Sequence, residues 1–321
     1  MIETSPSTAN WFGRLPAVAF VAGLLIVVSV FFSVTASGFF TISNLTTVVS
    51  AASVIMLASL GQLMVIISGG FDLSIGGVIP LSAVLFAVFT NEGLPLAVAL
   101  VLSLLVGALV GIVHAFFIVL IRVNPLITTL ATLSVTGGIA FIISHGQTIS
   151  MKPEAGVLGD PAIAGLPWHV LLMVALAVVV HVLLAHTILG RRIYMIGGNL
   201  EAARIAGVRT VVVGSAPYVF SGILAALGGV VLASQLLAAS GTIGATITLQ
   251  SLAAVVLGGA ALTGGRGSVP GAVIGVLLLG IIANGMTLLL VPSFYQQVVS
   301  GVVLVAAVTL SRLQERSRRS A

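Results

Sequence analysis

Hydrophobic runs of about the length of a membrane-crossing helix follow one another along almost the whole chain. A bilayer-spanning helix needs roughly 20 mostly apolar residues, and polar residues, glycines and prolines separate ten such runs. They lie near residues 16–36, 45–67, 74–90, 95–121, 126–144, 168–189, 211–236, 246–262, 269–290 and 294–311. The sequence therefore predicts an all-α polytopic membrane protein with about ten transmembrane helices. The shorter third and eighth runs are either complete crossings or broken, re-entrant segments.

The scarcity of charge excludes a soluble globular domain. Only 6% of the 321 residues are charged and 59% are hydrophobic, whereas a soluble domain typically carries about 25% charged residues. The net charge is +5, but the basic residues are spread between the hydrophobic runs and form no basic face with interleaved aromatic residues. Nucleic acid is therefore not a predicted partner. The chain has no cysteine, so it can form neither a thiolate metal site nor a cysteine nucleophile.

The distribution of basic residues predicts the orientation in the membrane. Lys and Arg collect in loops on the cytoplasmic side, and with ten spans and both termini in the cytoplasm only Lys152 falls on the other side. The residues on the cytoplasmic side are Arg14, Arg122, Arg191, Arg192, Arg204, Arg209, Arg266, Arg312, Arg316, Arg318 and Arg319. This arrangement predicts a cytoplasmic N-terminal segment over residues 1–15, a transmembrane domain over 16–311 and a basic cytoplasmic tail over 312–321.

The predicted cytoplasmic loop over residues 190–210 contains the signals of a short helix. Asn199 can cap its start, Glu201 lies in its first turn and Gly207 can end it. A helix over residues 200–206 is only about 10 Å long, so it must lie on the membrane surface. It is either a plain connecting turn or a docking element that receives force from a soluble partner.

One carboxylate lies inside the hydrophobic pattern. Asp72, followed closely by Ser74, occupies a glycine-rich break between the second and third runs. Such a break is tolerated where protein or a water-filled cavity covers the backbone. Asp72 either caps the third helix by accepting amide hydrogens of its first turn or shapes a transport pathway. His114, in the fourth run, is predicted to be an interhelical histidine with satisfied hydrogen bonds, with a proton relay as the alternative.

The fifth run carries a stripe of hydroxyl groups. Thr128, Thr132 and Thr136 recur every four residues and therefore share one helix face. Such hydroxyls either bond to their own backbone and pack against a neighbour or line a path for a neutral, polyhydroxylated solute. Asn284, in the ninth run, admits the same two interpretations.

The chain has no recognisable enzymatic motif and no motor of its own. A phosphate-binding loop of the form G-x-x-x-x-G-K-[ST] needs a lysine after glycine, and the only lysine, Lys152, lies between Met151 and Pro153. ATP-driven transport would therefore need an ATPase on another chain. The alternatives are a stand-alone ion-coupled secondary transporter of a small neutral solute, which usually needs several ionisable residues in its spans, and a membrane-embedded enzyme.

Four ordered blocks of sequence resemble the permease subunits of bacterial ABC importers for ribose and related monosaccharides. The most specific is Gly69-Gly70-Phe71-Asp72-Leu73-Ser74-Ile75-Gly76, which is similar to the family pattern G-G-[IF]-D-L-S-[VI]-G. The others are residues 124–132 (NPLITTLAT), residues 198–208 (GNLEAARIAGV), and residues 253–259 (AAVVLGG) running on to residues 264–268 (GGRGS), with Asn284-Gly285 as a further match. The likeness covers residues 45 to 311.

The resemblance implies a type II ABC importer-like bundle in the bacterial cytoplasmic membrane. It implies three kinds of partner: a second permease chain in a homodimer or heterodimer, a cytoplasmic ATPase that binds ATP and Mg, and an extracytoplasmic sugar-binding protein. No cofactor is expected on this chain. The short cytoplasmic helix would be the coupling helix that docks on the ATPase, and its implied docking residues are Glu201, Ala202, Ala203, Arg204 and Gly207.

The sequence departs from the family at three positions. Thr248 and Gln250 stand where the family often has an acidic pair, and Gly137 stands where an arginine often precedes the glycine of the fifth span. The resemblance therefore does not imply that the solute is ribose itself. A weak internal likeness between residues 69–74 and 264–268 needs no repeat to explain it, because the chain has 37 glycines.

Overall fold

The chain folds into a bundle of helices. The computed structural model describes residues 17–163, 165–299, 301–302, 305–306 and 309. Its helices are α1 (Ala17–Thr35), α2 (Ile42–Ile67), α3 (Ile75–Asn91), α4 (Leu96–His114), α5 (Pro125–Ser144), α6 (Trp168–His186), α7 (Ile188–Gly198), α8 (Leu200–Ile205), α9 (Thr210–Leu236), α10 (Ile247–Leu257) and α11 (Val269–Leu288). A π-helix, Ala115–Leu120, continues α4, and residues 293–299 are also helical.

Seven helices in the described part of the chain are long and apolar enough to cross a membrane. They are α1, α2, α4 with its π extension, α5, α6, α9 and α11. The third predicted run corresponds to α3, whose 17 residues span about 25 Å. The eighth corresponds to α10, whose 11 residues span only about 16 Å against a hydrocarbon core about 30 Å thick. The predicted run over 246–262 is therefore a broken segment rather than one complete helix, because the helix ends at Gly258.

One other predicted run differs from the structure. The sixth, residues 168–189, ends three residues early because Thr187 leaves the helical conformation and caps α7. The tenth, residues 294–311, is helical at every position that the structure describes, namely 294–299, 301–302, 305–306 and 309. The predicted segments 1–15 and 312–321 lie wholly outside the described residues.

The loops of this mostly helical chain also contain short strands. Between α5 and α6 the chain forms three short strands, β1 (Ile149–Ser150), β2 (Pro161–Ile163) and β3 (Leu166–Pro167), with a 3-10 helix, Pro153–Gly159, between the first two. β2 pairs with β3, and β1 pairs with β4 (Ala238–Ala239), which follows α9. Both pairs are antiparallel, and the second ties this loop to the end of α9.

α2 and α9 form the centre of the bundle. Every residue of α2 from Met56 to Ile67 is buried, and α9 packs against α2, α3 and α4. The outward faces of the peripheral helices are apolar instead, as at Ile142 of α5, which is 73% exposed. An apolar exterior around a buried centre suits contact with lipid, since exposed apolar faces of this extent are not stable in water.

α4 and α9 touch through their backbones. Gly107 and Gly111 lie one turn apart on α4, opposite Tyr218 and Gly222 of α9. A Cβ atom added at Gly107 would overlap the carbonyl oxygen of Gly222, and one added at Gly222 would overlap that of Gly107. Small residues four positions apart permit this approach. The resulting van der Waals packing stabilises the contact, because helices in lipid gain no hydrophobic free energy from associating with one another.

The two ends of the bundle differ in charge. We call one of them the arginine end: it comprises residues 68–74, 121–124, 187–209 and 258–268, and hydrogen bonds and a shared cavity join these segments. Its basic residues are Arg122, Arg191, Arg192, Arg204, Arg209 and Arg266. Lys152 lies at the opposite end, where its ammonium donates to the carbonyl of Asn91 over 3.4 Å. The other predicted cytoplasmic arginines, Arg14, Arg312, Arg316, Arg318 and Arg319, lie outside the described residues.

The contact between α4 and α9 predicts a position-dependent cost of adding a methyl group. Gly222→Ala should destabilise the fold by about 1–3 kcal/mol, the usual cost of overpacking a close contact, because its Cβ meets the carbonyl of Gly107. Gly138→Ala is the control, since a Cβ there meets nothing within 4 Å. Thermal midpoints of the detergent-solubilised variants measure the difference. Equal midpoints for the two variants would contradict the packing.

Candidate functional site

A short surface helix follows α7 at the arginine end. Thr187 accepts a hydrogen bond from the amide of Gly190 (3.1 Å) and starts α7. Asn199 accepts one from the amide of Ala202 (2.9 Å) and starts α8, and Gly207 follows it with a φ of +79°. The predicted helix is therefore present over Leu200–Ile205, and Asn199 is the single residue between α7 and α8.

α8 presents a mixed charged and apolar surface. Glu201, Ala202 and Arg204 are exposed, whereas Ala203 is buried. Ile205 is 81% exposed, and sequence reasoning did not single it out, because an isolated isoleucine in a short helix carries no signal of its own. An exposed apolar residue between exposed charges is typical of a protein interaction surface.

A cavity of about 400 Å³ opens beside α8. It is lined by the Gly69-Gly70 backbone, by Arg122 at the end of the π-helix, by Glu201 and Arg204 of α8, and by Tyr218 of α9. Among the described residues, no side chain forms an ion pair or hydrogen bond with the Arg122 or Arg204 guanidinium. The cavity brings the glycine-rich break between α2 and α3 next to α8.

Asp72 is completely buried and is held by hydroxyl groups. One carboxylate oxygen accepts hydrogen bonds from the amide (3.0 Å) and the hydroxyl (2.6 Å) of Ser74, and the other accepts one from the hydroxyl of Ser221 on α9 (2.6 Å). The amide that Asp72 binds belongs to Ser74, the residue just before α3, and not to the first turn of the helix. Asp72 instead fastens the loop before α3 to the middle of α9.

His114 lies close to this cluster. It is fully buried, and its ring meets that of Tyr218 edge-on with 6.0 Å between centroids. Neither ring nitrogen has a hydrogen-bond partner among the described residues, so the prediction of a satisfied histidine is wrong. The Tyr218 ring that it meets lines the same cavity as Gly69 and Gly70, a proximity that sequence spacing could not show.

The threonine stripe of α5 is bonded to its own helix. Thr128, Thr132 and Thr136 donate to the carbonyls four residues earlier, over 3.1, 2.9 and 2.7 Å. The alternative in which the hydroxyls bond back to the backbone is therefore confirmed. The same residues line a groove of about 530 Å³ between α4 and α5, whose other walls are apolar side chains. Their role in a pathway stays a prediction.

Asn284 pairs with another asparagine. Its amide donates to the side-chain oxygen of Asn44 over 2.9 Å, and the amide of Asn44 donates back over 2.9 Å. The amide of Asn44 also donates to the carbonyl of Phe39. The pair fastens α2 to α11. Asn284 therefore has the first of its two predicted roles, packing against a neighbouring helix.

Comparison with known proteins identifies the family. Residues 44–308 match the family described as "Branched-chain amino acid transport system / permease component". The chain is 39% identical to the ribose import permease protein RbsC of Bacillus subtilis, with 80% of each chain covered. It is 37% identical to the L-arabinose transport system permease protein AraH of Escherichia coli, with 93% of this chain and 92% of that protein covered.

A third relative, the probable ABC transporter permease protein y4mJ of Sinorhizobium fredii, is 35% identical, with 87% of this chain and 84% of that protein covered. No solved structure matches the chain. The chain belongs to the permease-component family. It is therefore a multi-pass membrane transport protein and not an enzyme.

The hydroxyl cage around Asp72 predicts a strong effect of removing one hydrogen-bond donor. Ser221→Ala leaves one oxygen of a fully buried carboxylate without its partner, which should cost about 1–3 kcal/mol of stability. Ser215→Ala, on the same helix but exposed, is the control. Asp72→Ala should impair assembly or transport, since it leaves two buried hydroxyls unpaired. Thermal midpoints and membrane levels of the three variants check this, and wild-type behaviour of both Ser221→Ala and Asp72→Ala would refute the role of the cage.

Proposed function

We propose that this permease-family member is the membrane-spanning subunit of an ATP-driven importer of a monosaccharide or a related polyhydroxylated solute. The observation that carries the proposal is its similarity to a permease of arabinose transport over 93% of the chain. The importer would contain two permease chains, a cytoplasmic ATPase that binds ATP and Mg, and an extracytoplasmic binding protein. The binding protein would deliver the solute to this chain.

The proposed orientation places the arginine end in the bacterial cytoplasm. The positive-inside rule supports this, because all the described arginines lie at that end, whereas Lys152, Glu92, Glu154 and Asp160 lie at the other. We infer ten spans with both termini cytoplasmic, in which α3 crosses the membrane and α10 occupies a half-crossing. The proposed divisions are a cytoplasmic segment over residues 1–15, a transmembrane domain over 16–311 and a tail over 312–321.

The proposed docking site for the ATPase is α8. Glu201 and Arg204 offer opposite charges on one short helix, and Ile205 adds an exposed apolar anchor. Ala202 lies exposed at the same surface, the buried Ala203 faces the bundle and Gly207 ends the helix. A mixed surface of this kind suits a specific contact with a soluble subunit.

A neutral solute fits the described spans better than an amino acid does. The family description names branched-chain amino acids, but a zwitterion would need fixed charges along its path, and the carboxylate of Asp72 is sealed by Ser74 and Ser221. Thr128, Thr132 and Thr136, and Asn284 further along the bundle, are proposed pathway residues. The threonine oxygens keep a lone pair free to accept a hydrogen bond from a sugar hydroxyl.

Reconstitution into proteoliposomes tests the proposed function. Labelled D-ribose and L-arabinose serve as probes, with the candidate ATPase and binding protein added singly and together. Accumulation should require the permease, both partners and ATP on the ATPase side. Accumulation by the permease alone that is abolished by an uncoupler would instead show an ion-coupled secondary transporter.

Docking through α8 predicts uncoupling when its charges are removed. Glu201→Ala and Arg204→Ala should each reduce solute import per ATP hydrolysed by about tenfold, within the usual range of coupling energies, while the permease keeps its membrane level. Glu92→Ala, which removes an exposed charge at the opposite end, is the matched control. Import and phosphate release from the same proteoliposomes give the ratio, and normal ratios in both α8 variants would show that α8 is not the docking site.

A further inference from the structure

Glycines from three distant parts of the sequence meet at the arginine end. Gly69 follows α2, Gly197 lies in the last turn of α7, and Gly264 and Gly265 lie in the loop between α10 and α11. We call these four residues the glycine hub.

The hub residues touch through their backbones. A Cβ atom added at Gly197 would overlap the carbonyl oxygen of Ile67. One added at Gly264 would lie 2.6 Å from the carbonyl oxygen of Gly197 and 2.8 Å from the Cα of Gly69. Carbon atoms do not approach so closely without a shift, so the hub has no room for a side chain at these positions.

Two hydrogen bonds hold the hub together. The amide of Gly265 donates to the carbonyl of Ile67 over 2.9 Å, and the hydroxyl of Tyr194 on α7 donates to the carbonyl of Gly267 over 2.7 Å. Burial raises the pKa of the Tyr194 hydroxyl, so the group stays protonated and remains a donor at neutral pH. The loop before α11 is thus fastened both to the end of α2 and to α7.

The hub lies on the path from α8 to the centre of the bundle. Only Asn199 separates α8 from α7, so a displacement of α8 reaches Gly197 directly. From Gly69 the chain runs on to Asp72, which is bonded to Ser221 of α9. The hub therefore connects α8 with α2, α9 and α11 through backbone contacts and short hydrogen bonds.

We propose that the glycine hub transmits the movement of α8 to the transmembrane helices, and that Gly197 is its positioning residue. This inference rests on the proposed function, in which α8 receives force from an ATPase. Side chains between two elements can absorb a displacement by changing rotamer. Backbones in direct contact cannot, because a rigid secondary element moves as a unit and passes its displacement to the next.

Adjacent glycines in α7 provide the matched test. Gly197→Ala places a Cβ against Ile67, whereas a Cβ at Gly198 meets nothing within 4 Å. Neither residue has a positive φ, so alanine strains the backbone at neither position. In the complete importer with wild-type partners, Gly197→Ala should lower the import of the transported probe per ATP hydrolysed at least about fivefold, and Gly198→Ala should leave the ratio unchanged.

The outcomes separate the hub from the proposed function. If the wild-type importer accumulates neither D-ribose nor L-arabinose in an ATP-dependent way, the proposed function fails and the hub inference with it. If the wild type transports and Gly197→Ala keeps its ratio, only the hub inference is overturned.

Tyr194→Phe covers the case in which Gly197→Ala does not reach the membrane. It removes only the hydroxyl that bonds Gly267 and keeps the ring. The expected result is a several-fold lower import per ATP with an unchanged thermal midpoint. An unchanged import per ATP would overturn the inference. A lower import per ATP that is accompanied by a lower thermal midpoint would overturn it as well, since a merely structural role gives that result.

Discussion

Direct contact between backbones is the interaction on which the rest of this structure depends. Helices in lipid gain no hydrophobic free energy from associating with one another, so they are held by close packing and by a few polar bonds. Here backbones come into direct contact where Gly107 meets Gly222 and where the glycine hub joins the last turn of α7 to two loops. The abundance of glycine is thus a requirement of assembly rather than a sign of flexibility.

A few buried polar groups find their hydrogen-bond partners inside the protein. A charge at the centre of a bilayer is costly and is tolerated when it faces the protein interior with partners. Asp72 meets this condition with three hydrogen bonds from two serines, and Asn44 and Asn284 meet it by pairing with each other. The Asp72–Ser221 bond and the Asn44–Asn284 pair link parts of the bundle that are distant in sequence, so both help to fix its topology.

The sequence predicted what depends on local chemistry. The start of α8 at Asn199 and its end at Gly207 follow from capping preferences, which act within one turn. The break after α10 was left open because a hydropathy window measures composition and does not register where backbone hydrogen bonds stop. The bond between Asp72 and Ser221 spans 149 positions, and no pattern in a single sequence records it. The same reason hid the unpaired ring of His114.

The division of labour within the proposed importer follows from these bonds. A solute shifts a conformational equilibrium only by the difference between its affinities for the two states. The hydroxyls of Thr132 and Thr136 donate hydrogen bonds to carbonyls of their own helix, and Asp72 is enclosed. The described spans therefore offer a neutral solute few polar contacts whose strength could differ between the two states. The free energy that drives the change between the two access states must then be supplied at another part of the protein. α8 is a suitable point of entry, because it is exposed on one side and joined through the glycine hub to the centre of the bundle on the other.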